Sequence, residues 1–123
     1  MNEHDKVINF IRGTFATSPI YNVLVNLGTE KKWHIGGIFP DVIVTLKENN
    51  SIVFVIEVET GEGLAASIQQ WKNYVNLPGT FYIIVPENRL NEAKSLSVVS
   101  GVKAKFGFYR YFNNEVTQVI YEP

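Results

Sequence analysis

Apolar residues recur along this chain at spacings that change from helical to strand-like and back again. Over residues 3–15 the spacing is helical, which predicts a first helix. Residues 20–27 fit either a continued helix or the start of a sheet, and the pattern leaves both open. The apolar positions of the first helix are Val7, Ile8, Ile11 and Phe15.

The next segments predict strands. Residues 31–39 are expected to form a strand that bends or bulges at Gly36-Gly37, because glycine inside a strand marks such irregularities. Residues 41–47 and 52–59 flank a polar turn, so they predict an antiparallel hairpin. The second of these strands is apolar at nearly every position before its end, which is typical of a strand buried on both faces.

The second half of the chain alternates helix and strand. Residues 63–76 predict a helix that ends before Pro78-Gly79, and 81–85 a buried strand parallel to the one before the helix. Residues 87–97 predict a polar helix, and 103–121 a final strand or hairpin. We therefore expect one α/β domain over residues 1–123, in the order α, β, β, β, α, β, α, β, with a mixed central sheet flanked by helices.

Three carboxylates stand where the predicted hairpin would bring them together. Asp41 begins its first strand, and Glu57 and Glu59 end its second. Alternation along a strand puts Glu57 and Glu59 on the same face. Taken singly, Asp41 or Glu59 is more typical of a solvated strand end, whereas Glu57 lies between two apolar residues. Burial of clustered carboxylates costs free energy unless a positive charge compensates them, and a bound cation supplies that charge. The pattern therefore favours a metal-dependent site.

Composition narrows the choice of metal. The chain has no cysteine and only two histidines, which argues against a structural zinc site and favours oxygen ligands for Mg²⁺ or Mn²⁺. A net charge of −1 does not by itself indicate a nucleic-acid-binding protein. Lys103 and Lys105 lie in an aromatic-rich segment that predicts either contacts to phosphates and bases or an ordinary amphipathic edge strand.

The N-terminal residues lack the basic start and apolar core of a secretory signal, and no apolar segment approaches the ~20 residues that span a bilayer. We therefore expect a cytoplasmic protein with no membrane partner.

Pro40-Asp41, followed by Glu57-x-Glu59 and by Gln70-x-x-x-Tyr74 on the next helix, resembles the PD-(D/E)xK nuclease-like (restriction endonuclease-like) superfamily, RecB-like branch. The resemblance covers roughly residues 1–86 and implies a restriction endonuclease-like core of order αβββαβ, here followed by a C-terminal helix and strand. It also implies that Asp41, Glu57 and the Val58 carbonyl bind Mg²⁺ or Mn²⁺, and that the chain hydrolyses phosphodiester bonds in DNA.

The third motif position, usually lysine in that superfamily, is Glu59 here. One interpretation is an active hydrolase in which the second carboxylate serves as base or extra ligand. The alternative is a catalytically inactive module that binds nucleic acid or a protein partner. Lys72 on the crossover helix is the candidate to replace the missing lysine, but helical geometry puts it on the flank opposite Gln70 and Tyr74. We therefore favour Gln70 as the residue from this helix that completes the site.

The remaining expectations concern binding. Tyr74, Lys72, Lys103 and Lys105 are the candidate nucleic-acid contacts. His34 is more typical of a bystander than of a phosphate contact, and Glu3 of a charge that stabilises a helix N-terminus. Because the predicted core offers little surface for binding a duplex alone, we expect a homodimer or a larger complex.

Overall fold

The structure, a computed structural model, describes residues 1–123 and consists of six strands and three α-helices. Short 3-10 helices, Leu64–Ser67 and Glu87–Arg89, lead into the second and third helices. The main elements in chain order are α1 (Glu3–Ala16), β1 (Tyr21–Val25), β2 (Val42–Leu46), β3 (Ile52–Val58), α2 (Ile68–Tyr74), β4 (Thr80–Pro86), α3 (Leu90–Ser100), β5 (Lys105–Phe112) and β6 (Glu115–Tyr121).

The six strands form one mixed sheet in which spatial order follows chain order, β1 to β6. Strand β2 is antiparallel to β1 and to β3, whereas β3, β4 and β5 are parallel and β6 returns antiparallel. The predicted hairpin is confirmed, with Val42 opposite Ile56. The α/β class and the mixed sheet flanked by helices are confirmed as well.

Helices cover both faces of the sheet. Helix α1 packs on one face and contributes Val7, Ile8 and Ile11, all fully buried, to a cluster with Ile56 and Val58 of β3. On the other face α2 and α3 pack over Val55 of β3 in a second cluster. Side chains of β3 alternate between the two faces of the sheet, so Glu57, two residues after Val55, lies on the α2 face. The second cluster also includes Leu64, Trp71, Tyr74, Phe81, Ile83, Val85 and Ala93.

Two ambiguous segments are resolved by the structure. Residues 20–27 contain strand β1, and residues 103–121 form a hairpin of β5 and β6. The predicted first helix is confirmed. It begins after Asn2, whose side-chain oxygen accepts a hydrogen bond from the Asp5 N–H at 2.8 Å. None of the helices is long and apolar enough to cross a lipid bilayer.

The strand predicted over residues 31–39 is wrong. This segment is part of a long loop between β1 and β2, because Gly36 and Gly37 adopt φ of +58° and +84°, outside the strand region. Ile35 and Ile38 instead exchange two backbone hydrogen bonds, of 2.8 and 3.0 Å, with each other. Their side chains pack against the α2 side of the core.

Two predicted helices have different bounds. The segment over 63–76 begins with Gly63 in the left-handed conformation (φ +66°) and with a 3-10 turn, so only Ile68–Tyr74 is α-helical. The polar helix predicted over 87–97 also begins as a 3-10 turn and extends to Ser100. Gly101 then ends it with φ of +72°.

Candidate functional site

Asp41 and Glu57 meet at the edge of the sheet where β2 begins and β3 ends. The Asp41 N–H donates to Glu57 Oε1 at 2.9 Å, and the Val58 N–H donates to Asp41 Oδ2 at 2.8 Å. The hairpin register places Asp41 one position before Val42, which pairs with Ile56. The structure therefore brings the two acids together, as the hairpin predicted, and Val58 contacts Asp41 through its N–H, whereas the resemblance implies a role for its carbonyl.

Glu57 is a buried carboxyl group, with only 3% of the residue exposed. Burial raises the pKa of Glu57 well above its usual range, and the nearby carboxylates of Asp41 and Glu59 raise it further. The Asp41 N–H and the Tyr74 hydroxyl oppose this pKa rise because they stabilise the ionised form. In the absence of a cation, the surroundings of Glu57 therefore favour its protonated form.

Gln70 and Tyr74 approach the site together from α2. The Gln70 side-chain amide donates to the Tyr74 hydroxyl at 3.1 Å, and that hydroxyl faces Glu57. Burial, followed by the Glu57 charge, raises the pKa of Tyr74, so the phenol remains a neutral donor. Gln70 is exposed and bonds to Tyr74 alone, so of this pair only Tyr74 faces the buried carboxyl group directly.

Glu59 also faces α2, as the alternation along the strand predicted. Its Oε1 accepts from the Trp71 indole N–H at 3.1 Å, and its Oε2 accepts from the Ser67 hydroxyl at 2.9 Å. Burial raises the pKa of Glu59, and the hydrogen bonds from Trp71 and Ser67 oppose that rise. Both carboxylate oxygens are therefore held by α2 and the turn that precedes it.

His4 lies at the site although the sequence pattern did not predict it. His4 Nε2 lies 3.1 Å from Asp41 Oδ2, and its Nδ1 lies 3.1 Å from Asp5 Oδ1. The hydrogen bond to Asp41 is the largest cause that raises the pKa of His4 to about 9, so the ring is an imidazolium at neutral pH. Only its place in the first turn of α1 hinted at this role, because the contact spans 37 residues.

Glu3 takes a different position from the other acids. Its carboxylate accepts a hydrogen bond from the Tyr109 hydroxyl on β5. Glu3 and His4 also line a polar cavity of about 320 Å³ with Asn2, Thr60 and Glu62. His4 links this cavity to Asp41, which does not itself line it.

The predicted lysines do not join the site. Lys72 is exposed on α2, as helical geometry predicted. Lys105 is exposed at the start of β5, beside Tyr82 near the start of β4. Through Tyr82, Lys105 lies level with Ile56 of β3, and strand β4 separates it from the strand that carries Glu57. His34 makes no contact with the carboxylates, and its Nδ1 accepts from the Gly37 N–H at 3.2 Å.

The donor set fits a hard divalent cation. Mg²⁺ is commonly held by one or two carboxylates and keeps several waters, and Asp41 and Glu57 are two oxygen donors of that type. A cation would also compensate the buried Glu57 charge. In the present arrangement no three His, Cys, Asp or Glu side chains converge as a ready-made metal cage, since Glu59 is hydrogen-bonded to α2 and His4 to Asp41.

A scan against protein-family models, a search of curated proteins and a search of solved structures each gave no match to this chain.

Proposed function

We propose that this chain is a metal-dependent nuclease domain that hydrolyses phosphodiester bonds in DNA. The observation that carries the proposal is the meeting of Asp41 and Glu57 at the end of β3, where the Asp41 N–H donates to Glu57 Oε1 at 2.9 Å. Glu57 is buried and its pKa is raised further by the Asp41 charge, and two carboxylates placed in this way favour a bound cation. Mg²⁺ or Mn²⁺ suits their oxygen ligands.

The order of elements supports the same proposal. Elements α1, β1, β2, β3, α2 and β4 follow the αβββαβ order of a restriction endonuclease-like core. The acids lie on the central hairpin of that order, and the Gln70–Tyr74 pair lies on the helix that follows. Fold order and acid positions are separate observations, and both agree with the resemblance in the sequence.

Each site residue then has a defined task. Asp41 and Glu57 would hold the ion together with the Val58 carbonyl, and Tyr74 keeps Glu57 oriented with support from Gln70. A bound Mg²⁺ polarises a phosphodiester and lowers the pKa of a coordinated water. Glu59 stands where the superfamily uses lysine, and its raised pKa suits a general base that accepts the proton of the attacking water.

A second candidate is a catalytically inactive module of the same fold that binds nucleic acid or a protein partner. One observation favours it. Glu59 has both oxygens hydrogen-bonded to Trp71 and Ser67, an arrangement that also suits a structural link between β3 and α2. The two candidates differ in turnover, because an inactive site can still bind a cation.

The test is cleavage of labelled single-stranded, duplex and branched DNA with Mg²⁺ or Mn²⁺. The parent is compared with Glu57→Ala and with Glu48→Ala, a matched loss of one exposed carboxylate in the β2–β3 turn. Cleavage by the parent and by Glu48→Ala, but not by Glu57→Ala, supports the nuclease. No cleavage of any substrate, with DNA binding retained, supports the inactive module instead.

Assembly is part of the proposal. A homodimer or a larger complex would extend the surface that contacts a duplex, and the exposed end of the aromatic strand β5 is the surface we propose for it. Phe112 at its end is 69% exposed. Sedimentation that shows a monomer at high concentration would contradict the homodimer.

A further inference from the structure

The loop between β1 and β2 begins and ends beside the carboxylates. Because Val25 pairs with Val42, the next residue along β1, Asn26, lies next to Asp41. The Asn26 N–H donates to the Asp41 carbonyl at 3.0 Å. Both ends of the loop are therefore anchored at the edge of the sheet that carries the candidate site.

Asn26 fixes the middle of this loop with its side chain. The residue is only 4% exposed, and its Oδ1 accepts from the N–H groups of Lys32 and Trp33 at 3.0 and 2.9 Å. Its Nδ2 donates to the carbonyls of Trp33 and Pro40 at 2.8 and 2.7 Å. Four hydrogen bonds to one buried amide tie the Lys32–Trp33 backbone to the Pro40-Asp41 motif.

The fixed segment displays cations and aromatic rings to solvent. Lys31, Lys32 and His34 are exposed, and Trp33 is 37% exposed. Lys32 Nζ lies 5.2 Å from the Trp33 ring, within the range of a cation–π contact. Residues 31–40 contain no carboxylate, although Glu30 precedes them.

A groove continues from this segment along the sheet. A cavity of about 470 Å³ lies between Trp33, His34 and Ile35 of the loop and the surface of β1 and β2. It reaches Asn50 in the β2–β3 turn. The groove gives an extended chain a path that starts at Trp33.

We propose that the segment Lys31–His34 binds a single strand of nucleic acid, with phosphates at Lys31 and Lys32 and a base stacked on Trp33. The charge is complementary to phosphate, and an exposed indole offers a stacking face to an unpaired base, whereas duplex bases already stack on one another. The proposal rests on the proposed function and deepens it, because it assigns DNA with a single-stranded segment as the substrate class. It also places the contact at this loop rather than at Lys103 and Lys105.

Binding is measured without turnover, by fluorescence anisotropy of a labelled single-stranded oligonucleotide at low salt in EDTA. The loop variants are Lys31→Ala/Lys32→Ala and Trp33→Ala. The matched control is Arg12→Ala/Lys47→Ala, which removes two exposed cations elsewhere. A third pair, Lys103→Ala/Lys105→Ala, tests the competing surface. Thermal melts check that each variant is folded.

We expect each loop variant to weaken binding on the order of tenfold, with the control pair and the Lys103/Lys105 pair within about twofold of the parent. Trp33 fluorescence should also be quenched by the oligonucleotide, since the other tryptophan, Trp71, is fully buried. The proposal would be overturned by an equal loss of affinity in all double variants, by unchanged binding in Trp33→Ala, or by a parent that does not bind the oligonucleotide. Cleavage is scored separately, so failure of this loop and failure of the nuclease are distinguishable.

Discussion

The Trp71 indole N–H donates a hydrogen bond to Glu59 Oε1 across 3.1 Å and so joins α2 to the end of β3. Trp71 is fully buried, and the Ser67 hydroxyl holds the other Glu59 oxygen at 2.9 Å. The carboxylate therefore has one fixed orientation beside Glu57. A fixed carboxylate with a raised pKa is suited to accept a proton, whereas its occupied oxygens make it a poor candidate for an additional metal ligand.

The Glu59→Gln variant separates these two roles. An amide still accepts one of the two hydrogen bonds but cannot take a proton, so we expect cleavage to fall about 100-fold, the lower range of general-base effects. Addition of Mg²⁺ or Mn²⁺ should still raise the melting temperature as it does in the parent. If the metal no longer raises the melting temperature of Glu59→Gln, Glu59 is a metal ligand and not the general base.

Glu57→Gln should make the metal-free protein more stable while it removes cation binding. At pH 8 the parent carries the cost of a buried carboxyl group whose pKa is raised by burial and by Asp41, and an amide avoids that cost. In EDTA we expect a melting temperature at least equal to that of the parent. Added Mn²⁺ should raise the melting temperature of the parent and of Glu48→Gln only. A metal-induced rise in Glu57→Gln would contradict the ligand assignment.

Stability should fall at alkaline pH through His4. Its pKa rises from 6.5 to about 9 on folding, mainly through the hydrogen bond to Asp41, so the folded state favours the protonated ring. The stabilisation is complete below pH 6.5 and is lost as pH rises through about 9. Because the side chain is 30% exposed, solvent screening reduces the effect to about 1–2 kcal/mol.

Urea unfolding in EDTA between pH 6 and 10 measures this effect. His4→Gln should flatten the decline between pH 6.5 and 9, whereas His34→Gln should keep the slope of the parent. The raised pKa values of Glu57 and Glu59 give a decline of the same sign from pH 4.5 upward, which both variants share. An unchanged slope in His4→Gln would show that the His4–Asp41 contact does not stabilise the protein.

The hairpin and its acids were predictable because they depend on local signals. An apolar run, a polar turn and strand alternation fix which residues of β2 and β3 meet, and Asp41 then lies beside Glu57. The flank of α2 that carries Gln70 and Tyr74 was predictable for the same reason, since helical geometry acts over a few residues.

Other features depend on contacts between distant residues. Ile35 and Ile38 match a strand pattern, yet the left-handed conformations of Gly36 and Gly37 turn the chain back on itself. The His4–Asp41 pair requires α1 to lie over the start of β2, and nothing near residue 4 in the sequence specifies that packing. Residues such as these become recognisable only once the helix and the sheet are assembled.

Gly107 and Gly13 should respond in opposite directions to alanine. A Cβ at Gly107 would lie 2.6 Å from the Ile120 carbonyl oxygen and 2.7 Å from Ile84 Cδ1, so Gly107→Ala should lower the free energy of unfolding by about 2 kcal/mol. A Cβ at Gly13 in α1 meets nothing within 4 Å, so Gly13→Ala should raise it by about 0.5–1 kcal/mol. Urea unfolding measures both, and a neutral Gly107→Ala would contradict the tight contact between β5, β6 and β4.

Asn26 should control both stability and nucleic-acid binding, because its buried amide makes three hydrogen bonds to the Lys32–Trp33 backbone and a fourth to the Pro40 carbonyl. Asn26→Ala leaves those backbone groups without their partner and should lower the free energy of unfolding by about 2 kcal/mol. Single-stranded DNA affinity should fall as far as in Trp33→Ala, although every cation and ring is retained. Asn76→Ala, at an exposed position after α2, should change neither quantity. If Asn26→Ala is destabilised but binds single-stranded DNA with full affinity, the loop binds without the Asn26 anchor. The position of the loop beside Asp41 would then not determine its affinity.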